Sequence, residues 1–185
     1  MYIHDFIESV WANPASFDFK SALDQFIQTK EYDPYAEVED LRKEFSESLK
    51  SGSAEAIELG MKILEKKPFD IESHALLSQF YFRKDNPQKS HLHNYIASSL
   101  LERILKSGDG KSYLTAYKIY FPEDEFAVFC YMKKYPHQRV NHEKYDRFVD
   151  VYSFEDGENI FFDITVLFKH ISGAKEDSSE KKNAE

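Results

Sequence analysis

The first half of the chain alternates apolar stripes at helical spacing with short breaks rich in proline, glycine, serine and aspartate. Ile3, Phe6, Ile7, Val10 and Trp11 recur every three or four positions, which predicts a helix that Pro14 closes because proline cannot continue one. Phe19, Leu23, Phe26 and Ile27 form a second stripe. Asp33-Pro34 turns the chain, and Val38, Leu41, Phe45 and Leu49 form a third stripe that Gly52 ends. Ser53 is placed to cap a fourth helix, in which Ile57, Met61 and Leu64 share a face and which Pro68 stops. A longer helix is predicted over 89–106, with Ile96, Ala97, Leu100, Leu101 and Ile104 as its apolar residues.

Beyond Gly110 the period shortens to two. The segment TAYKIYF, 115–121, alternates in polarity with aromatic and β-branched residues and predicts a strand that Pro122 ends. Acidic residues at the start of 123–135 and lysines at its end suit a helix dipole. Strands are predicted over 148–154 and 160–168, joined at EDGEN, a hairpin signal because Asp-Gly tolerates positive φ. A short strand is predicted over 139–145. In 160–168, Ile160, Phe162, Ile164, Val166 and Phe168 would line one face, and the helical half is the expected cover for it. The predicted fold class is therefore α+β: a single domain over 1–172, with a helical part at 1–107 and a small antiparallel sheet with one helix at 111–172. The last residues, 173–185, contain no large apolar side chain and read as a disordered tail.

Ala56, Pro68, His74, Leu77, Ser78 and Tyr81 fall at the separations of the tetratricopeptide pattern, in which a small residue lets two helices approach and a proline closes the pair. His74 stands where tryptophan is common, and Ser90 and Asn94 depart from the pattern in the next helix. One degenerate helix pair with flanking helices accounts for the spacing, and a plain helical bundle accounts for it equally well.

Composition narrows the function classes. At 185 residues the chain is long enough to bury a core without disulfides or metals, and its 16 Phe and 12 Tyr point to a core built on rings. A formal charge of −9 argues against nucleic-acid binding, which needs a lysine- and arginine-rich surface. The single cysteine, Cys130, excludes an intramolecular disulfide and fits a reducing compartment. MYIHDFIESVWANP reads as neither a signal peptide nor a membrane span, so a cytoplasmic location with no membrane partner is expected.

KSGDGKS, 106–112, looks like the end of a phosphate-binding loop, but the first glycine of G-x-x-x-x-G-K-[ST] is replaced by Leu105 and a helix precedes it where a strand is required. The expected role is a structural joint: Gly108 as the left-handed residue after the helix, Asp109-Gly110 as a tight turn, Ser112 as a cap. SGDGKSYLTAYKIY, with KILEKKPFDIESHALLSQFYF and the paired tyrosines of EYDPY upstream, resembles a largely bacterial family, well represented in Bacteroides and its relatives, catalogued as a domain of unknown function. The resemblance runs from about Tyr32 to Phe168 and implies a shared fold without an established activity.

No cofactor is expected, and no metal, because no histidine pair has the i, i+4 spacing of a helical zinc site. His74 is expected to be a hydrogen-bonded core residue, and Cys130 a buried one. The segment EYDPYAEVEDLRKEFSES, 31–48, holds seven acidic residues against Arg42 and Lys43. Tyr32 and Tyr35 with Glu37, Glu39 and Asp40 are the expected docking residues for a basic protein partner, aromatic anchors among charges that speed encounter. The expected function is thus a non-catalytic binding module. The alternative is a small hydrolase-type enzyme with a site near His74 and Asp109.

Overall fold

A computed structural model describes residues 3–171, and the expected tail at 173–185 lies outside the described residues. The chain divides into two compact units, Met1–Arg103 and Ile104–Glu185. The elements are α1 (Ile3–Ala12), a 3-10 turn (Pro14–Ser16), α2 (Phe19–Phe26), α3 (Glu39–Ser51), α4 (Glu55–Lys66), α5 (Ile71–Arg83), α6 (Pro87–Lys106), β1 (Tyr117–Lys118), α7 (Glu123–Met132), β2 (Gln138–Lys144), β3 (Arg147–Ser153) and β4 (Asn159–Asp163). A last helical stretch occupies 165–171.

The breaks of the helical unit follow local chemistry. Asp18 and Asp70 cap α2 and α5, each carboxylate accepting the N–H of the residue three places on, Ser21 and Ser73. Gly52 closes α3 at φ 69°, where glycine carries no Cβ penalty. Ser53 accepts the Glu55 N–H at 3.2 Å and so covers a donor at the start of α4. The core is a chain of rings: Phe6 meets Phe69 at 5.0 Å and Phe19 at 6.3 Å, and Phe69 meets Phe26 at 5.4 Å.

Two stripes differ from expectation. Trp11 is exposed, and Val10 takes the buried place at the end of α1. The buried face of α4 is Ala56, Leu59, Gly60, Ile63 and Leu64; of the expected stripe Leu64 lies in it, whereas Ile57 and Met61 are only half-buried. A Cβ on Gly60 would lie 2.8 Å from Leu77 and 3.0 Å from Phe45, so the absence of a side chain there lets α4 approach both α5 and α3.

In the second unit the strand order is β1-β4-β3-β2, and the sheet is mixed rather than antiparallel throughout. β2–β3 and β3–β4 are antiparallel, but β1 runs parallel to β4, with Tyr117 beside Phe162. The chain leaves β1 through α7 and returns beside it only after β2 and β3, which is the longer connection a parallel pair needs. β2 and β3 turn at Tyr145 and Asp146, both at φ 56°. β3 and β4 turn at EDGEN with Gly157 at φ 84°.

The predicted strands 115–121 and 160–168 are cut short. Only Tyr117–Lys118 pairs in the first, because Thr115 is held in the glycine loop. In the second, Asp163 accepts the Thr165 N–H at 3.0 Å and starts the helix that contains Val166 and Phe168. The face that carries Phe162 is covered by α7 of the same unit, whose Phe129 packs against Tyr152, Phe154 and Phe162 at 4.8, 5.9 and 5.5 Å.

Candidate functional site

The acidic segment begins in the loop before α3 and continues into its first turn. Asp33 accepts the Tyr35 N–H at 3.0 Å, and Lys66 and the buried Lys67 donate to the carbonyls of Glu37 and Pro34, each at 3.0 Å. The loop is thereby held to the end of α4. Tyr35 is 44% exposed, and Glu37, Glu39 and Asp40 are exposed. Asp40 approaches Lys43 at 3.6 Å, whereas Glu37 and Glu39 form no ion pair among the described residues. Tyr32 does not belong to this surface. It is only 5% exposed, with its ring edge-on to Phe26 at 6.0 Å, because the turn at Asp33-Pro34 directs it into the core.

Beside this segment, α3 and α5 enclose a groove of about 270 Å3. Phe45, Leu49, Leu76 and Phe80 supply its apolar lining. Arg42 closes one end by pairing with Asp70 and, at 3.0 Å, with Glu72. Burial opposes the charge on Asp70, but the Arg42 guanidinium and the Ser73 hydrogen bonds outweigh it and hold the carboxyl below the usual range. Lys50 and Arg83 flank the other end and form no ion pair among the described residues.

His74 is fully buried, as the sequence predicts for a core histidine. Its Nε2 lies 3.1 Å from the Pro68 carbonyl and its Nδ1 3.0 Å from Nδ1 of His93. Burial lowers His74 to about 4, and burial together with the His74 charge lowers His93 to about 3. Asp109 is exposed in the second unit and accepts the Lys111 N–H at 3.0 Å. Both ring nitrogens of His74 are thus engaged within a core, which supplies no base at a surface.

The glycine loop closes on itself. The N–H groups of Asp109 and Gly110 both donate to the Thr115 carbonyl, at 3.0 and 2.9 Å, and the Ser112 hydroxyl accepts the Thr115 N–H at 3.3 Å. The left-handed residue is Gly110, φ 67°, rather than Gly108. Gly108 is required by close approach instead: a Cβ there would lie 2.2 Å from the Thr115 oxygen.

The sheet unit holds a buried polar cluster that sequence reasoning missed. The Tyr152 hydroxyl donates to Glu125 of α7, and Asp150 accepts from Arg139 and, at 3.0 Å, from Asn141. Oε1 of Glu125 has no hydrogen-bond partner among the described residues. Burial pushes Glu125 up to about 8, against the pull of the Tyr152 hydrogen bond and with help from the Asp150 charge, so it is a neutral acid at pH 7. Cys130 is exposed, not buried, because Phe129 takes the inward position on α7.

Among the described residues, no group of three or more histidine, cysteine, aspartate or glutamate side chains is placed to hold a metal ion. No helix among them is long and apolar enough to cross a membrane. A family model described as "Domain of unknown function (DUF4919)" matches residues 20–172. No curated protein and no solved structure matches the chain.

Proposed function

The chain belongs to the DUF4919 family, a domain of unknown function without an established activity, and within it we propose that this protein is a non-catalytic protein-binding module of the cytoplasm. Its partner is basic, such as a toxin or effector domain that it masks. The observation that carries this reading is the exposed Tyr35 in one short segment with the exposed carboxylates of Glu37, Glu39 and Asp40, on a loop anchored from behind by Lys66 and Lys67. Such a segment is pre-organised, so little ordering entropy opposes docking, and its charge accelerates encounter with a cationic surface. The α4–α5 pair is read as tetratricopeptide-like: Ala56, His74, Leu77, Ser78 and Tyr81 all lie in the core between helices, as that pattern requires.

Affinity capture followed by stopped-flow association tests the proposal. Reversing Glu37, Glu39 and Asp40 to lysine should leave a folded chain, since exposed charges contribute little to stability. It should slow association with the captured partner and flatten its salt dependence. A triple variant that associates at the unchanged rate and salt slope reduces the acidic segment to a solvated surface.

A further inference from the structure

The groove between α3 and α5 differs from the chain as a whole in the sign of its charge. The protein carries −9, yet Arg42, Lys50 and Arg83 border this groove against the single carboxylate of Glu72. Arg42 is committed to Asp70 and Glu72. Lys50 and Arg83 are exposed, form no ion pair among the described residues, and stand in the last turns of α3 and α5. The lining residues run in the same order along both helices, so these two cations mark one end of the groove. Between them and the Arg42 pair lies the apolar lining of Phe45, Leu49, Leu76 and Phe80.

We propose that this groove binds an acidic peptide segment of a partner protein, with apolar side chains set on Leu49 and Leu76 and carboxylates facing Lys50 and Arg83. Its size, about 270 Å3, admits one or two side chains and not a folded domain. A long polyanion would meet the excess of carboxylates elsewhere on the chain, whereas a short acidic segment brings its charge only to the cationic end. The site goes beyond the basic-partner reading, because it uses different residues and selects the opposite charge.

The test titrates the nitrogen-15-labelled full chain with a synthetic peptide of leucines at helical spacing among glutamates, and with its counterpart bearing lysines for glutamates. The acidic peptide should shift the amide resonances of Phe45, Leu49, Leu76 and Phe80, and the basic one should leave them in place. Lys50→Glu combined with Arg83→Glu should weaken acidic-peptide binding by roughly tenfold or more, with circular dichroism unchanged. Leu76→Ala, which keeps every charge, should also weaken it. The Glu37, Glu39 and Asp40 triple reversal, which makes the chain less acidic, should not weaken acidic-peptide binding, which separates this site from the acidic segment. Absence of shifts, shifts confined to other residues, equal binding of the basic peptide, or unchanged affinity in the double reversal would each overturn the proposal.

Discussion

His74 and His93 meet through their Nδ1 atoms at 3.0 Å in the core of the helical unit, and the Pro68 carbonyl decides which of them donates. A carbonyl only accepts, so Nε2 of His74 carries the proton directed at Pro68 and its Nδ1 is left as an acceptor. Nδ1–H of His93 then supplies the shared hydrogen bond, and both rings are neutral. A second proton on His74, at Nδ1, would set two donors against each other in a buried site.

The pair therefore makes the helical unit sensitive to acid. Both folded pKa values, about 4 and about 3, lie below the ordinary 6.5, so the unfolded chain binds more protons from pH 6.5 down to about 4 at His74 and about 3 at His93. The contribution of the pair is complete above pH 6.5 and is lost as pH falls through 4 toward 3. His74→Leu removes the donor to Pro68 and the acceptor for His93, and should cost about 2–3 kcal/mol at pH 7 through unsatisfied buried groups. Urea melts followed by helical circular dichroism at several pH values should show a shallower acid decline for His74→Leu than for the unaltered chain. A parallel decline would place the acid sensitivity elsewhere.

Glu125 gives the sheet unit the opposite slope. Its folded pKa, about 8, lies above the ordinary 4.5, so the folded chain holds the extra proton between these values and loses stability as pH rises from 4.5 to 8. The decline is at most about 1.4 kcal/mol per pH unit. Glu125→Gln keeps the size and an acceptor for the Tyr152 hydroxyl but cannot ionise. It should remove this slope and stabilise the protein at pH 8. Carboxyl-carbon NMR titration reads the group directly, and a Glu125 midpoint in the ordinary carboxylate range would sink the prediction.

These sites differ in how far the sequence reveals them. Stripes of large apolar residues place α1, α2, α3 and α6, since a helix must bury such a stripe whatever it packs against. The face of α4 is hidden because Ala56 and Gly60 are buried for their smallness, and apolar periodicity gives weight to Ile57 and Met61 instead. A glycine inside a predicted helix was the available signal of close approach. The end of β4 is hidden because Ile164, Val166 and Phe168 alternate like a strand while Asp163 begins a helix. The His74–His93 bond, the Glu125–Tyr152–Asp150 cluster and the α3–α5 groove join residues from different elements, so no local pattern announces them. The sequence marks Gly108 as structural for a positive φ, which belongs to Gly110. The chain passes so close to Thr115 that either explanation calls for a glycine.

That close approach makes the glycine loop a test of joint against nucleotide site. In a phosphate-binding loop the backbone N–H groups converge on the ligand. Here those of Asp109 and Gly110 are taken by the Thr115 carbonyl, and that of Lys111 by the Asp109 carboxylate. Gly110 also accepts the Phe161 N–H at 2.9 Å, which ties the loop to β4. Gly108→Ala would set a methyl group 2.2 Å from the Thr115 oxygen and 2.8 Å from that of Ala116, and neither backbone atom can swing aside as a side chain would. The loop must open, and the variant should lose about 1–3 kcal/mol. The Lys111 side chain forms no hydrogen bond or ion pair among the described residues and acts on Asp109 only as a nearby charge, so Lys111→Ala should stay within about 0.5 kcal/mol of the unaltered chain. Thermal melts of both variants, with and without ATP or GTP, decide between the two roles. A nucleotide that raises the melting temperature of the unaltered chain but not of Lys111→Ala would mean that the loop opens to bind phosphate.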